Sequence, residues 1–281
     1  MSLPLHSFRN TDTIFLSSQE TTLDIQDIAR KAHEYRHELD AIKTRLAPKD
    51  FTWYPYGTLD NFTILDKLLS GKNRHLIDLA GGAPIADIGA ADGDTAFFME
   101  TLGCQADTVD FPPTNYNGCR GMNALKAALD SKVNIHEVDL DARFDLPGER
   151  YGLAFFLGIL YHLKNPFGAL ESLARCARHA LVSTRIVRYN LAPSARGSDS
   201  VNKNRVELCT IPVAYLVDSG ETNNDATNYW MFSEAGLRRV VDRAGWDVLD
   251  FMTLGNVTTS DPASNDGDER AFCLLRSRHV A

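Results

Sequence analysis

From residue 85 onward, short apolar runs of strand length alternate with runs of helical period, and nothing else limits the possible folds as strongly. Strand patterns fall at 85–88, 106–110, 133–138, 152–157 and 180–187, with helical patterns at 94–102, 121–130 and 166–178. Such alternation implies parallel strands joined by crossover helices, layered on both faces of one sheet. The rhythm breaks at 188–228, a polar stretch with Pro193, Gly197, Pro212 and Gly220. A stretch of that length without periodicity reads as a lid, a binding insertion or a disordered segment. A helix at 233–244 follows, with Ser233 at its N-cap and Gly245 just past its end. Strands at 246–254 and 270–276 then close a seven-stranded, mostly parallel α/β sheet. The run SDPASNDGDE between them reads as a long exposed hairpin connection.

The chain upstream has a different character. Leu23, Ile25, Ile28, Ala29, Ala32, Tyr35, Leu39, Ile42 and Leu46 recur at steps of mostly three and four, one apolar stripe along a long helix. Pro48 marks its end. An aromatic loop, DFTWYPYGTLDNF, leads to a shorter helix over 59–69, terminated by Gly71. Gly81, Gly82 and Pro84 punctuate the entry to the alternating region. The expected organisation is a helical N-terminal extension over 1–76 and an α/β domain over 77–281.

Composition narrows the function classes. The net charge of -8 argues against a general nucleic-acid binder, though one local basic patch would suffice for a specific one. No run approaches the ~18 consecutive apolar residues of a membrane span, and MSLPLHSFRNTD lacks the pattern of a signal peptide. The five cysteines are scattered, without a CxxC pair or a histidine at metal-ligand spacing. Free thiols, no metal and a cytoplasmic location are the expectations.

The chemistry concentrates at IADIGAADGDTAFF, residues 85–98, where the first strand turns into a helix. In open α/β sheets, ligands bind at the carboxyl ends of the strands. Gly89 permits a sharp bend, Ala91 and Gly93 keep the turn small, and the helix N-terminus points free N–H groups into it. A dinucleotide fingerprint needs G-x-G-x-x-G, of which only the first glycine is present. Asp92 and Asp94 put two negative charges where a pyrophosphate would sit. S-adenosyl-L-methionine carries a sulfonium and an ammonium instead, so flanking acids favour it. Asp110 ends the second strand 21 residues after Gly89, where a carboxylate can accept both hydroxyls of a ribose. Asp139 ends the third strand as a candidate for the adenine amino group, with Asp141 as its rival. Asp87 can act through the turn and on the ammonium.

Asp87, Gly89, Ala91 and Gly93 resemble the class I methyltransferase signature D/E-x-G-x-G-x-G with one Gly-to-Ala change. Together, LGILYHLKNPFGALESL, WYPYG, NYWMFSEAGLRRVVDRAGW and NVTT are similar to the bacterial tRNA wobble-uridine carboxymethyltransferases and their relatives. The resemblance implies the Rossmann-like methyltransferase fold, with Gly158 at the cofactor. It also implies that carboxy-S-adenosyl-L-methionine is the alternative cofactor. Tyr161 then matches a tyrosine that contacts the extra carboxylate, and Arg270 an arginine with the same task. The family's third contact is a lysine before a glycine in the aromatic loop, where this chain has Tyr56 before Gly57. Its absence favours the unmodified cofactor, because an unpaired carboxylate in a low-dielectric pocket is costly.

Methyl transfer from a sulfonium needs alignment above all, and an oxygen nucleophile also needs its proton removed. His162 is a candidate base or a cap of the next helix. Tyr161 is a candidate for shaping the pocket. Trp53, Tyr54, Tyr56, Tyr229 and Trp230 could stack on a planar acceptor or form core. The basic groups Arg185, Arg188, Arg196, Lys203, Arg205 and Arg238, Arg239, Arg243 are solvated faces or a strip for RNA phosphates. Methyl transfer to an oxygen of a small-molecule or tRNA acceptor is the leading expectation. Carboxymethyl transfer to tRNA wobble uridine and a non-catalytic cofactor-binding protein are the alternatives.

Overall fold

The computed structural model describes residues 23–142, 146, 150–191, 205–258, 260–262 and 268–280. Arg196, Lys203, the N-terminal MSLPLHSFRNTD and residues 263–267 of the 260–269 connection lie outside these residues.

Helix α1 (Ile25–Leu46) starts where Asp24 accepts a hydrogen bond from the Gln26 N–H, and it ends at Ala47 in a left-handed conformation before Pro48. Its stripe buries Ile25, Ile28, Ala32, Tyr35 and Leu39, whereas Leu46 emerges into solvent. Each such large side chain contributes about 1.5–3 kcal/mol relative to exposure. Next come α2 (Asn61–Leu68) and a short α3 (Leu76–Ala80) that the sequence pattern did not announce.

The sheet then builds through β1 (Ile85–Ile88), α4 (Asp94–Thr101), β2 (Ala106–Asp110), α5 (Arg120–Leu129), β3 (Asn134–Glu137) and β4 (Tyr151–Leu157). It continues through α6 (Pro166–Cys176), β5 (Ala177–Ile186), α7 (Glu234–Arg243), β10 (Trp246–Gly255) and β11 (Glu269–Ser277). The main path runs β3-β2-β1-β4-β5-β11-β10. Strands β1 to β5 pair in parallel, and β11 is antiparallel to both of its neighbours. The mostly parallel sheet expected from the sequence is present, its seven expected strands forming the main path of a sheet that has nine strands among the described residues. Chain order reverses between β2 and β4 around β1, which makes the carboxyl end of β1 the switch point of the sheet.

The 188–228 region is more structured than its composition suggested. It contributes β6 (Tyr189–Leu191) and β7 (Arg205–Glu207) as a separate two-stranded ribbon. It also supplies β8 (Ala214–Leu216), which pairs with β9 (Trp230–Phe232) and so extends the main sheet beside β5. The 260–269 connection is a second correction. Ser260 and Asp261 are buried, because Ser260 accepts from the Arg188 and Tyr189 N–H groups and donates to the Ile186 carbonyl.

Two cores lie on opposite faces of the sheet. One gathers α1 to α5 around Phe62, Phe98 and Phe155, and the other packs α6 and α7 on Leu170, Leu237 and Trp246. Helix α4 is buried on nearly every side because α1 and α2 cover its outer surface.

Candidate functional site

Three residues of the turn after β1 have positive φ: Gly89 at 68°, Ala91 at 54° and Gly93 at 83°. An L-residue in that region is strained by about 1–2 kcal/mol, so Ala91 is held there by something. Its N–H donates to Asp110 Oδ2 at 2.9 Å, and its carbonyl accepts from Asn115 Nδ2 at 3.1 Å. Asp110 also accepts from Asn115 Nδ2 and, through Oδ1, from the Phe111 N–H. The end of β2 thus clamps the turn after β1. Burial raises the Asp110 carboxyl above its ordinary range.

Asp87 lies beneath the same turn, 7% exposed. Burial, reinforced by Asp110 and Asp94 and opposed by the Ala96 backbone, pushes its carboxyl up to about 7. Its Oδ2 has no hydrogen-bond partner. A buried, unsatisfied carboxylate oxygen at a switch point suits a cationic group.

The other two acids do not behave as the sequence suggested. Lys43 reaches across from α1 to Asp94 Oδ2 at 2.8 Å and Asp92 Oδ2 at 3.4 Å. Asp92 also accepts from the Tyr54 N–H (2.9 Å) and from Asn117 Nδ2 (2.8 Å). The single ammonium offsets one of the two charges, and Asp92 ties the aromatic loop to the turn, so only part of this acidity remains to repel a diphosphate or attract a sulfonium. The electrostatic case for a cation therefore rests chiefly on Asp87 and Asp110. Lys43 escaped sequence reading because its partners lie 49 and 51 residues away.

Asp139 Oδ1 accepts from the Asp141 and Ala142 N–H groups and so closes a turn, while Asp141 Oδ1 accepts from the Lys164 N–H at 2.7 Å. Both acids support backbone beyond β3 and the loop before α6.

A second group sits at the carboxyl ends of β4 and β5. Gly158 has φ 77°, and a side chain there would point at the Tyr161 hydroxyl and Arg270 Nη1. Tyr161 is 6% exposed, with the Arg270 guanidinium standing against it. Arg185, opposite Arg270 in the β5–β11 register, places its guanidinium carbon 5.4 Å from the Tyr161 ring centre, and Arg270 places its own at 5.7 Å. Both arginines share Asp268, Arg185 at 2.8 Å and Arg270 at 3.3 Å. The Arg185 Nε is buried with no partner. Two cations therefore stand against one acid. Tyr54 links this group to the turn: burial, then Tyr161, Tyr56 and Asp110, raise its phenol above the ordinary value, while Arg270 opposes them.

His162 does not cap α6; Asn165 does, accepting from the Gly168 N–H. The His162 Nδ1 faces the Thr227 carbonyl at 2.9 Å, and the Thr227 hydroxyl spends its proton on Asp225 at 2.6 Å. A carbonyl can only accept, so Nδ1 carries the ring proton and Nε2 keeps its lone pair. Burial lowers the imidazolium below its ordinary value and keeps the ring neutral at pH 7.

The aromatic residues divide. Trp53 packs into the core and donates Nε1–H to the Lys43 carbonyl. Tyr56 is 72% exposed and edges Tyr54 at 5.4 Å. A cavity of about 310 Å³ lies against Tyr54, Tyr56, Trp53, Lys43 and Asp94. Trp230 is elsewhere: it donates to the Lys164 carbonyl and lines a separate groove with Pro166, Phe167 and Val240. The structure does not bring it together with Tyr161 and Arg270. Four of the basic residues have partners within the chain, whereas Arg239 and Arg243 are exposed on α7. Arg185 is buried on Asp268, Arg188 pairs with Glu269, and Arg205 lies over Tyr189 and donates to the Thr258 carbonyl. Arg238 binds Glu234 and covers Phe251.

These elements define the class of fold: a Rossmann-like α/β sheet of the methyltransferase type. The chain superposes on the N-terminal domain of EvdMO1 with SAH bound at TM-score 0.50 and 16% identity, covering 92% of this chain and 98% of that one. The same domain in the presence of SAH and D-fucose gives TM-score 0.51 and 17% identity, with the same coverage. No protein-family model matches the chain, and no curated protein matches it either. Among the described residues no helix is long and apolar enough to cross a membrane.

Proposed function

We propose that this chain is an S-adenosyl-L-methionine-dependent methyltransferase acting on an oxygen nucleophile. The observation that carries the reading is the turn after β1. Three left-handed residues, the middle one clamped by Asp110, lie at the switch point above a buried Asp87 oxygen without a partner. The similar EvdMO1 domain, of the same fold, carries SAH, the demethylated form of that cofactor.

Asp110 Oδ1 retains accepting capacity for a ribose hydroxyl beside its bond to Phe111. Asp87 would face the cofactor's positive charge, and Gly158 would let the chain approach the methionine end without a side chain in the way. When bound, the cofactor supplies a methyl group on a cationic sulfur. With that group in place, an acceptor oxygen would take the methyl, the carbon–sulfur electron pair would remain on sulfur, and His162 Nε2 would accept the acceptor's hydroxyl proton. Tyr54, Tyr56 and the cavity beside them form the acceptor side. Mass spectrometry of the ligand that co-purifies, followed by calorimetric titration with S-adenosyl-L-methionine and with NAD, tests the reading. Binding of NAD, or of neither compound, overturns it.

One observation favours a second reading. Tyr161, Arg270 and Arg185 offer two guanidiniums and a phenol around a single acid, Asp268. Arg185 supplies a cation that the missing lysine would otherwise leave absent. That group suits a carboxylate on the transferred carbon, as in carboxy-S-adenosyl-L-methionine, and with it carboxymethyl transfer to a tRNA wobble uridine. Tighter binding of the carboxylated cofactor, lost in Arg185→Met, would establish this reading over the first. Equal binding of the two cofactors would reject it.

A further inference from the structure

The run HEYRH, residues 33–37, lies in the middle of α1, outside the site described above. Its histidines are four apart and therefore share one helix face. Both are exposed. Their Nε2 atoms stand 3.3 Å apart, with ring planes at 85°. Two nitrogens bound tetrahedrally to one zinc ion, at Zn–N distances of about 2.05 Å, are themselves separated by about 3.3 Å. The pair already has that bite.

The donor set selects the metal. Two neutral imidazoles suit zinc, copper and nickel, whereas magnesium and calcium require oxygen ligands. H-E-x-x-H on a helix is also the zinc pattern of metalloproteases, where the glutamate serves as base. That chemistry does not fit here. Glu34 is exposed and paired with Arg30 at 3.0 Å. Among the described residues no third histidine, cysteine or acid joins the two. A centre with two protein ligands keeps open positions for water or an external donor.

We propose that His33 and His37 form a surface chelate for a divalent late transition-metal ion, zinc being the reference case. Half the donors of a four-ligand structural site correspond to a dissociation constant of about 10 μM. The chelate would clamp one turn of the helix that carries Lys43 to the candidate site. The full chain, titrated with zinc chloride against a chromophoric chelator, should bind one equivalent in that range. The His33→Gln and His37→Gln variants should each weaken binding at least tenfold with unchanged far-UV circular dichroism, since glutamine is a good helix former. Magnesium chloride should not compete. A hydrogen bond between the two rings, with no metal role, predicts no zinc uptake. That result would overturn the proposal, as would equal zinc affinity in the wild type and the doubly substituted chain.

Discussion

Replacing Lys43 by methionine isolates one charge while keeping most of the stem that packs near Trp53. In the wild type the ammonium sits 2.8 Å from Asp94 and 3.4 Å from Asp92, and its side chain is 12% exposed. Without it, two buried carboxylates remain beside each other with no cation. Removing one member of a buried ion pair costs about 3–5 kcal/mol. In a chain of this size each kcal/mol moves the melting midpoint by about 2–4 °C, so the loss should be about 10 °C. The loss also has a direction in pH. Burial already raises the Asp94 carboxyl, and Lys43 is the group that opposes the rise. Its removal lifts the folded-state value further. An acid with a raised folded-state pKa stabilises the fold below its unfolded value and withdraws that contribution as pH climbs through the folded one. The deficit of Lys43→Met should therefore be slight in mild acid and greatest in mild base. Scanning calorimetry at both extremes measures it, and adding Asp94→Asn should recover much of the loss in base. A midpoint in base within about 2 °C of the wild type would refute the account of Lys43 as the counter-charge of the turn.

Further outcomes concern the turn itself. Asp110→Ala should weaken S-adenosyl-L-methionine binding at least tenfold by calorimetry, since it removes the proposed ribose acceptor together with the clamp on Ala91. Ala91→Gly should stabilise the protein by about 1 kcal/mol in urea unfolding, because glycine adopts the left-handed conformation without penalty. Asp87, pushed up to about 7 by burial, is mostly protonated in mild acid and ionised in mild base. Affinity for the cationic cofactor should rise about tenfold from pH 6 to pH 8, and Asp87→Asn should abolish the rise. The uncomplexed wild type should lose stability relative to Asp87→Asn as pH climbs through about 7.

Local patterns made most of the sheet readable. The strand at 85–88, the cap at Ser233 and the stop at Pro48 each depend on a few neighbouring residues, and each stands where the sequence put it. What stayed hidden depends on distant partners. Lys43 is one more cation near a helix end until the fold brings Asp92 and Asp94 to it. Arg185 and Arg188 looked like part of a basic strip because Asp268 and Glu269, which pair with them, arrive from another strand. His162 looked like a helix cap because Thr227 is 65 residues away. Strands β8 and β9 are three residues each, too short for any periodicity to show.

The nitrogen of Tyr54 and the ammonium of Lys43 both end on the loop that follows the first strand. This limits modularity. A fragment trimmed to begin at residue 77 would keep all seven strands of the main path, yet it would strip the cover from α4 and leave Asp92 and Asp94 without their counter-ion. Swapping this α/β unit onto another scaffold therefore requires carrying the preceding helices along, and natural variation in the two halves should be constrained jointly.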